Sequence, residues 1–419
     1  METKRVTTML LAFILLFCYS GMLKAQEEAE NYYSISGVVR DARTRRVVEY
    51  VNVSAKGTNV GTITNEDGEF VLKLYASLPV SEIELSRIGY VNAKIAVSRN
   101  MAPNQTFYIT AQSIELSEVE VFGWKYPRDL VELALDKVST NYSMKPILLT
   151  GFYRETVQKG RNYIHISEAV IQIYKTSYAI NAEVDRSQVL KGRKLVSPKK
   201  SDTLDVKFLG GPNMPIYLDI VKNPDLLLSR EFLPCYSYRM GETVSINDRL
   251  HYVVHFQPQV ILDFPLYQGT FYIDCETLAF TRAEFNMDMS NRLKATDAIL
   301  RAKPMGLRFT PEDVIYVVTY KQLNNKTYLN YIRNEVRFKC DWRRRLFATN
   351  YTIVNETVIT DNEEENATRI ASRDAFSMRK SLSQEVAAYY DEDFWGVYNI
   401  IEPTESLESA VNRLRRQQQ

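Results

Sequence analysis

Histidine is scarce in this sequence, and its spacing decides whether a metal centre can form. The chain has three histidines, His165, His251 and His255. His251 and His255 are four residues apart, which on a helix would direct both imidazoles at one zinc ion. Residues 252–254 between them are aromatic and β-branched, which indicates a strand, and four residues along a strand span about 13 Å. The sequence therefore predicts no metal site and no other cofactor.

Nucleophilic centres are not indicated either. The sequence contains no Gly-x-Ser-x-Gly elbow and no glycine-rich phosphate loop ending in Lys-Ser or Lys-Thr. Arg154, Glu155 and Glu168 are predicted to contribute a buried charged pair across neighbouring strands rather than an acid–base pair. Asp274 is placed in a hairpin turn, where aspartate is common. We therefore predict that the protein is not an enzyme, assign no catalytic residue, and leave its binding residues unknown.

The charge balance argues against one class of partner. The formal net charge is +1 and 25% of residues are charged, whereas a nucleic-acid binder carries a basic face. The densest basic cluster, Arg343 to Arg345, follows Trp342. Basic residues on a strand alternate between its faces, so the cluster is either a solvated turn or a contact with anionic headgroups.

The first 25 residues have the features of an exported protein. Lys4 and Arg5 precede an apolar run at 9–19 that is too short to span a bilayer, and cleavage after Ala25 completes a secretory signal peptide at 1–25. A short membrane anchor is one alternative. Lipidation of Cys18 is another, although the bulky Phe17 precedes it. The predicted location is the periplasm or the periplasmic face of the outer membrane.

The cysteines of the exported chain could form disulfides. Cys235, Cys275 and Cys340 remain after the signal peptide, and an odd number leaves at least one thiol unpaired within the chain. We interpret all three as buried small apolar residues.

Residues 202–204 are similar to the O-glycosylation signal of exported Bacteroidetes proteins, with Thr203 as the acceptor.

The first domain is predicted at 32–112. Short runs with the period of a strand recur there between turn signals. The sharpest turn is 65–68, where Gly68 can adopt a positive φ. Seven short strands in about eighty residues suggest an immunoglobulin-like sandwich.

Four segments of this domain together resemble the carboxypeptidase-regulatory-like domain. They are residues 36–41, 51–59, 61–70 and 88–90. The resemblance implies a prealbumin-like sandwich of accessory, non-catalytic character. The domain is common in Bacteroidetes, often ahead of outer-membrane transporters. Arg45 and Arg46 stand where a proline is common, which affects the local turn and not the fold.

The rest of the chain is predicted to be a linker, a second β domain and a helix. Residues 113–146 form a linker strand and a helix that Pro127 begins. Residues 147–400 form a large, curved antiparallel sheet with a few helices, because long strands follow one another with brief connections. A helix at 401–419 places Leu407, Val411 and Leu414 on one face.

A second resemblance covers part of the large domain. Residues 267–274 and 277–285 resemble the hairpin of lipoprotein-carrier-like half-barrels, which often hold an acyl chain. Residues 190–193, 218–224 and 393–404 are typical of Bacteroidetes envelope proteins that follow the regulatory-like domain with such a region, ahead of an outer-membrane barrel in some relatives.

Two functions follow from these patterns. The first is a non-catalytic cell-envelope binding or scaffold protein. In a protein of this kind, the sandwich docks to an outer-membrane or periplasmic protein, and the larger sheet binds lipid, glycan or protein. The alternative is a periplasmic carrier that holds an acyl chain in a half-barrel.

Overall fold

The computed structural model describes residues 32–112, 125–180, 182–202, 207–208, 211–342, 348–377, 380–388 and 394–418. The predicted signal peptide, residues 113–124 of the predicted linker, Thr203 and the Arg343 to Arg345 cluster lie outside these residues. The described chain is mainly β, with an N-terminal sandwich and a large antiparallel sheet domain, which confirms the predicted fold class.

The N-terminal sandwich contains seven described strands. They are β1 (Tyr32–Asp41), β2 (Asn52–Ala55), β3 (Gly61–Ile63), β4 (Glu69–Tyr75), β5 (Glu82–Ser86), β6 (Ala93–Ala96) and β7 (Gln105–Ile109). One sheet has the order β4-β1-β7 and the other has the order β3-β2-β5-β6. Alternate residues such as Ile35, Val39, Leu72 and Leu85 face inward and fill the core, as the strand period requires. Gly68 has a φ of 74° in the predicted turn.

The large domain is built on one sheet whose order along the described strands is β12-β14-β15-β16-β18-β19-β20-β8-β9-β10-β21, with β13 paired to β14. Its strands are β8 (Ile147–Lys159), β9 (Asn162–Lys175), β10 (Arg186–Val196), β12 (Tyr236–Met240), β13 (Val244–Ile246), β14 (Arg249–Pro258), β15 (Tyr267–Asp274), β16 (Phe280–Met287), β18 (Leu307–Leu323), β19 (Lys326–Trp342), β20 (Thr349–Glu363) and β21 (Ala387–Ala388). A small separate pair joins β11 (Lys207–Phe208) to β17 (Leu300–Ala302). Successive strands are neighbours, as short connections favour, and β20 pairs back to β8.

Helices are short and lie around the sheet. They are α1 (Pro127–Asp136), α2 (Val138–Asn141), α3 (Met214–Tyr217), α4 (Arg292–Ile299), α5 (Leu382–Glu385) and α6 (Glu405–Gln418). The predicted apolar face of the last helix is buried. That helix begins at Glu405 and not at 401, because the Thr404 hydroxyl accepts from the Leu407 amide at 3.2 Å as an N-cap. Within the described residues, none of the helices has both the length and the hydropathy needed to cross a bilayer.

The large sheet is covered on both faces. Its inner face, which carries Tyr153, Phe271 and Val318, packs against α1 and the irregular segment 211–235. Its outer face carries Phe152, Val170, Tyr331 and Val358. The N-terminal sandwich and residues 394–404, which we call the C-terminal strap, pack on this outer face. The sandwich therefore packs against the outer face of the large sheet, and a cleft lies between the two domains.

The strap fixes the sandwich to the sheet by hydrogen bonds. The Asn399 side chain accepts from the Lys73 amide at 2.7 Å and donates to the Lys73 carbonyl at 3.0 Å, as a neighbouring strand would. The Thr62 hydroxyl donates to the Ile400 carbonyl at 2.8 Å, and the Asn65 amide donates to the Pro403 carbonyl at 3.1 Å. Because Trp395 and Ile401 of the strap also pack on the outer face of the large sheet, the strap connects the two domains.

Candidate ligand-binding cleft

The cleft lies between the second sheet of the sandwich and the outer face of the large sheet. It consists of two adjoining hollows of about 310 and 260 Å³. Seven residues line both: Asn52, Ser86, Ile246, Asn247, Thr281, Tyr320 and Lys321. Concave sites where domains meet are preferred positions for ligands.

Each wall of the cleft follows from local structure. Asn52 and Ser86 lie opposite each other on the paired strands β2 and β5. Asn247 and Asp248 have φ values of 54° and 56° and turn β13 into β14. Asparagine and aspartate tolerate this left-handed conformation and suit a tight hairpin. The Asp248 carboxylate accepts from the Asn92 amide of the sandwich at 3.3 Å, so the turn also closes one end of the cleft.

The lining combines amide and hydroxyl side chains such as Asn52, Ser86 and Thr281 with apolar residues and with charged groups, most of which are paired. Arg87 lies 3.8 Å from Glu49, and Arg282 lies 2.6 Å from Glu284. Lys321 instead donates to the backbone carbonyl of Asn59 at 2.9 Å. Burial lowers the pKa of Lys321 to about 8, although Asp361 opposes the shift.

One lining group lacks a partner among the described residues. The Asn92 side-chain nitrogen donates to Glu84 at 2.9 Å, while its oxygen is buried without a hydrogen bond. A buried acceptor left in this state is destabilising unless water or a ligand donates to it. The Asn92 oxygen is therefore an unsatisfied acceptor that is shielded from the open cleft.

A third hollow of about 270 Å³ lies on the other side of an aromatic and charged partition. The Tyr50 and Tyr331 rings are 6.1 Å apart, and the Arg333 guanidinium lies 5.5 Å from the Tyr50 ring. Arg333 also pairs with Glu356 at 2.9 Å and with Glu335 at 3.0 Å. These paired groups make the partition rigid, so it bounds the cleft.

The histidines lie on strands, as the sequence predicts. His251 and His255 share the outer face of β14. The His251 Nδ1 contacts the Arg249 carbonyl at 2.8 Å, and the His255 Nδ1 contacts the Thr270 hydroxyl at 2.9 Å. Burial lowers the pKa of both imidazoles. Among the described residues, no group of three or more His, Cys, Asp or Glu side chains is arranged to hold a metal ion.

Asp274 ends β15 and organises the turn that follows it. Its carboxylate accepts from the Thr277 amide at 2.8 Å and pairs with Arg249 at 2.5 Å. Burial opposes ionisation, but these bonds lower the pKa of Asp274 to about 2. The side chain therefore supports the hairpin at the edge of the cleft, in agreement with its predicted turn position.

The predicted buried charged pair forms between Arg154 and Glu168 on the outer face. Arg154 and Arg193 lie 2.8 and 2.7 Å from the two Glu168 oxygens. Burial raises the pKa of Glu168, but the two guanidinium groups outweigh it and the pKa is lowered. Arg154 also donates to the Ile401 carbonyl at 2.7 Å. Glu155 is not part of the pair, and its neighbour is the Tyr153 hydroxyl at 3.0 Å.

A second buried network, which the sequence did not reveal, lies on the inner face. Lys175 on β9 pairs with Asp219, and their side chains are 1% and 0% exposed. The Tyr178 and Tyr320 hydroxyls donate to the two Asp219 oxygens at 2.9 and 2.8 Å. Because water cannot reach these groups, the network fastens the segment 211–235 to the sheet and does not bind a solute.

Lys222 extends this network through the backbone. Its ammonium lies 3.7 Å from Asp185 and donates to the Ile180 carbonyl at 2.6 Å and to the Thr176 hydroxyl at 2.9 Å. Burial lowers the pKa of Lys222 to about 8, although Asp185 opposes the shift. Lys222 and Asp219 both lie in 218–224, one of the segments that carried the envelope-protein resemblance.

The three cysteines are unpaired in the structure. Cys340 is buried, and Cys235 and Cys275 are half-buried. Burial raises the pKa of Cys275 and of Cys340 to about 11, so these thiols are protonated at neutral pH and poorly reactive. The prediction that the cysteines are buried is therefore confirmed for Cys340 and wrong for Cys235 and Cys275, which are partly exposed.

No curated protein matches this chain. Three solved structures align with it. A protein domain from Vibrio parahaemolyticus named for outer membrane lipoprotein sorting is 11% identical, with 59% of this chain and 96% of that one covered at a TM-score of 0.27. A DUF1329 family protein from Desulfovibrio piger ATCC 29098 is 9% identical, with 58% and 93% covered at a TM-score of 0.24. A membrane-associated protein of unknown function from Bacteroides fragilis NCTC 9343 is 11% identical, with 79% and 98% covered at a TM-score of 0.14.

TM-scores this low do not establish a shared fold, so nothing is transferred from these three proteins. The N-terminal sandwich is different, because a family model matches it directly. Residues 35–121 match the CarboxypepD_reg-like domain, which confirms the predicted resemblance for this domain.

Proposed function

We propose that the protein is a non-catalytic binding protein of the cell envelope and that its ligand, a glycan, lies in the cleft between the two domains. The observation that carries the proposal is the lining of the cleft by amides, hydroxyls and paired charges. Glycan hydroxyls both donate and accept hydrogen bonds, and such a lining satisfies both roles. The export signal predicted at 1–25 supports the periplasm or the periplasmic face of the outer membrane as its location.

The fixed domain arrangement supports binding at this place. Asn52 and Ser86 come from the sandwich, while Thr281 and Lys321 come from the large sheet. Because the strap holds the two domains together, the two walls are already in position before a ligand arrives. A preformed site loses little conformational entropy on binding.

The sandwich also offers an edge to a protein partner. β6 is the last described strand of its sheet and alternates between half-buried and exposed residues. An exposed edge strand can pair with an extended segment of another chain. We assign the docking of an outer-membrane or periplasmic protein to this edge, because β3, at the other edge, lies against the large domain.

Filling the cleft will weaken glycan binding. Thr281 lines both hollows, so Thr281→Trp places an indole where the ligand would lie. We expect at least one of three probes, an N-acetylglucosamine tetramer, a dextran oligosaccharide or a lipopolysaccharide core oligosaccharide, to bind the unmodified protein. For that probe we expect about tenfold weaker binding to the variant, measured by isothermal titration calorimetry.

The matched control is Thr349→Trp, because Thr349 begins β20 at the opposite end of the sheet and is half-buried. This variant should bind the same probe as the unmodified protein does. Thermal unfolding of all three proteins checks that the fold is intact. Equal binding by the Thr281→Trp variant, or binding of none of the probes, would contradict the proposed site.

The acyl-carrier alternative predicts a different result. An acyl chain needs an open apolar cavity, whereas the inner face of the large sheet already packs on residues such as Ile216, Ile220 and Leu228 of the chain itself. We expect native mass spectrometry of the protein purified from its host to show the mass of the bare chain. A co-purifying mass that dissociates as a fatty acid or phospholipid would favour the carrier instead.

A further inference from the structure

We propose that the glycan bound in the cleft is acidic and that its anionic group, a carboxylate or a phosphate, pairs with the ammonium of Lys321. This inference rests on the proposed glycan site and adds the class of glycan that the site selects. The anionic group is assigned to the larger hollow, which has a volume of about 310 Å³.

Strand alternation and one hydrogen bond place the Lys321 side chain on the cleft side of the sheet. The Tyr320 hydroxyl reaches Asp219 on the inner face at 2.8 Å, so the next residue of β18 faces the outer side. The Lys321 ammonium donates from there to the Asn59 carbonyl of the sandwich at 2.9 Å. Lys321 also lines both hollows. The side chain therefore spans the gap between the two domains beside the space for a ligand.

The Lys321 ammonium has N–H donors that the protein does not use. An ammonium carries three donors, and among the described residues Lys321 makes one hydrogen bond. Asp361 attracts the ammonium, but it lines neither hollow. Burial lowers the pKa of Lys321 to about 8, because the charged form has lost water without gaining a close carboxylate. An anionic group of a ligand would supply this missing compensation.

The other cations that line the larger hollow have carboxylate partners. Their ion pairs are Arg87 with Glu49 at 3.8 Å, Arg282 with Glu284 at 2.6 Å and Arg333 with Glu356 at 2.9 Å. The lining itself contains four cations and two carboxylates. Within the part of the chain that the structure describes, Lys321 is the cation of this lining that has no ion pair. The larger hollow therefore carries an excess of positive charge, and Lys321 is its unpaired source.

This charge distinguishes acidic glycans from neutral ones. A neutral glycan would displace water from the ammonium and return only ordinary hydrogen bonds. A carboxylate or a phosphate forms charge-assisted hydrogen bonds, which are roughly twice as strong. Asn52, Ser86 and Thr281 bind the hydroxyls of either class equally well. The contact with Lys321 is therefore expected to decide between glycans of the same size.

Calorimetry with two matched pairs of glycans tests the inference on the unmodified protein. The first pair is a galacturonic acid trimer and the same trimer with its carboxylates converted to carboxamides. The second pair is a lipopolysaccharide core oligosaccharide before and after removal of its phosphates. In at least one pair, the more acidic member should bind about tenfold more tightly. Raising NaCl from about 50 mM to about 500 mM should remove most of that preference.

The two pairs separate the sources of the anionic group. A preference in the first pair identifies a carboxylate as sufficient, and a preference in the second pair alone identifies a phosphate. Because each comparison is made within a pair, the stereochemistry of the sugar does not affect it.

Substitution of the lysine tests whether Lys321 is the partner. Lys321→Met should bind both members of the preferred pair with equal affinity, and Lys321→Arg should keep part of the preference because it keeps the charge. The matched control is Lys326→Met. Lys326 is also half-buried and also donates to a backbone carbonyl, that of Thr140 at 2.7 Å, but it lines neither hollow. This control should keep the full preference, and circular dichroism on heating checks that each variant is folded.

Three results would overturn the inference. If the neutral member of each pair binds as tightly as its acidic counterpart, or if the preference survives in Lys321→Met, the glycan site stands but does not select an acidic ligand. If neither pair binds, the inference also fails, and the probes of the proposed function then decide whether a neutral glycan occupies the cleft.

Discussion

Asp219→Ala will lower the free energy of unfolding by about 3–5 kcal/mol, because it removes the carboxylate that is paired with a buried ammonium. The Lys175 side chain is 1% exposed and cannot reach water. The hydroxyls of Tyr178 and Tyr320 also lose their acceptor in this variant. Urea denaturation followed by circular dichroism measures the change, and the midpoint should fall without a change in the native spectrum.

Two further variants show how much of the lost stability comes from burial of the ammonium and how much from loss of the ion pair itself. Asp136 pairs with Arg230 on the surface, where both side chains are about 60% exposed, and Asp136→Ala should cost less than about 1 kcal/mol. The double variant Lys175→Met and Asp219→Leu replaces the pair with apolar groups and should recover part of the loss. A cost for Asp219→Ala as small as that for Asp136→Ala would mean that water enters the network.

The difference between the two buried networks explains how much the sequence could predict. Arg154 and Glu168 lie directly opposite each other on the adjacent strands β8 and β9. Alternation and a short connection were enough to predict this pair. Lys175 and Asp219 are 44 residues apart, and the partner of the strand residue lies in the irregular segment 211–235. No period governs such a segment, and a lysine is ordinarily exposed, so its burial could not be predicted.

The cleft was beyond prediction for a related reason. The sandwich and the strand-rich second domain each follow from local alternation, and His251 and His255 were correctly placed on a strand for the same reason. The cleft depends on how the two domains pack together. That packing rests on single side chains such as Asn399, which bonds both backbone groups of Lys73. An asparagine in an irregular segment carries no sequence signal for such a contact.

Glu168 also links stability to pH, and the sign follows from its pKa. The two guanidinium groups lower the pKa of Glu168 in the folded state despite burial. A lowered carboxyl pKa contributes stability above the unfolded value of about 4.3, and that contribution is lost as the pH falls through the folded value. The protein should therefore lose part of its stability in acid, and a variant without this carboxylate should lose less over the same range.

Glu168→Ala should lower the free energy of unfolding by about 3–5 kcal/mol and should loosen the C-terminal strap as well. The Arg154 side chain is 4% exposed, and Arg193 lies 4.9 Å from the Trp395 ring of the strap. Without Glu168, both cations must move toward water, which withdraws Arg154 from the Ile401 carbonyl. Hydrogen exchange should then rise at 394–404 before it rises in the sheet.

Glu132→Ala, which breaks the exposed Arg128 pair at 3.2 Å, should leave both stability and exchange nearly unchanged. Unchanged protection of the strap in the Glu168→Ala variant would show that the ion pairs of Glu168 with Arg154 and Arg193 do not hold the strap in place.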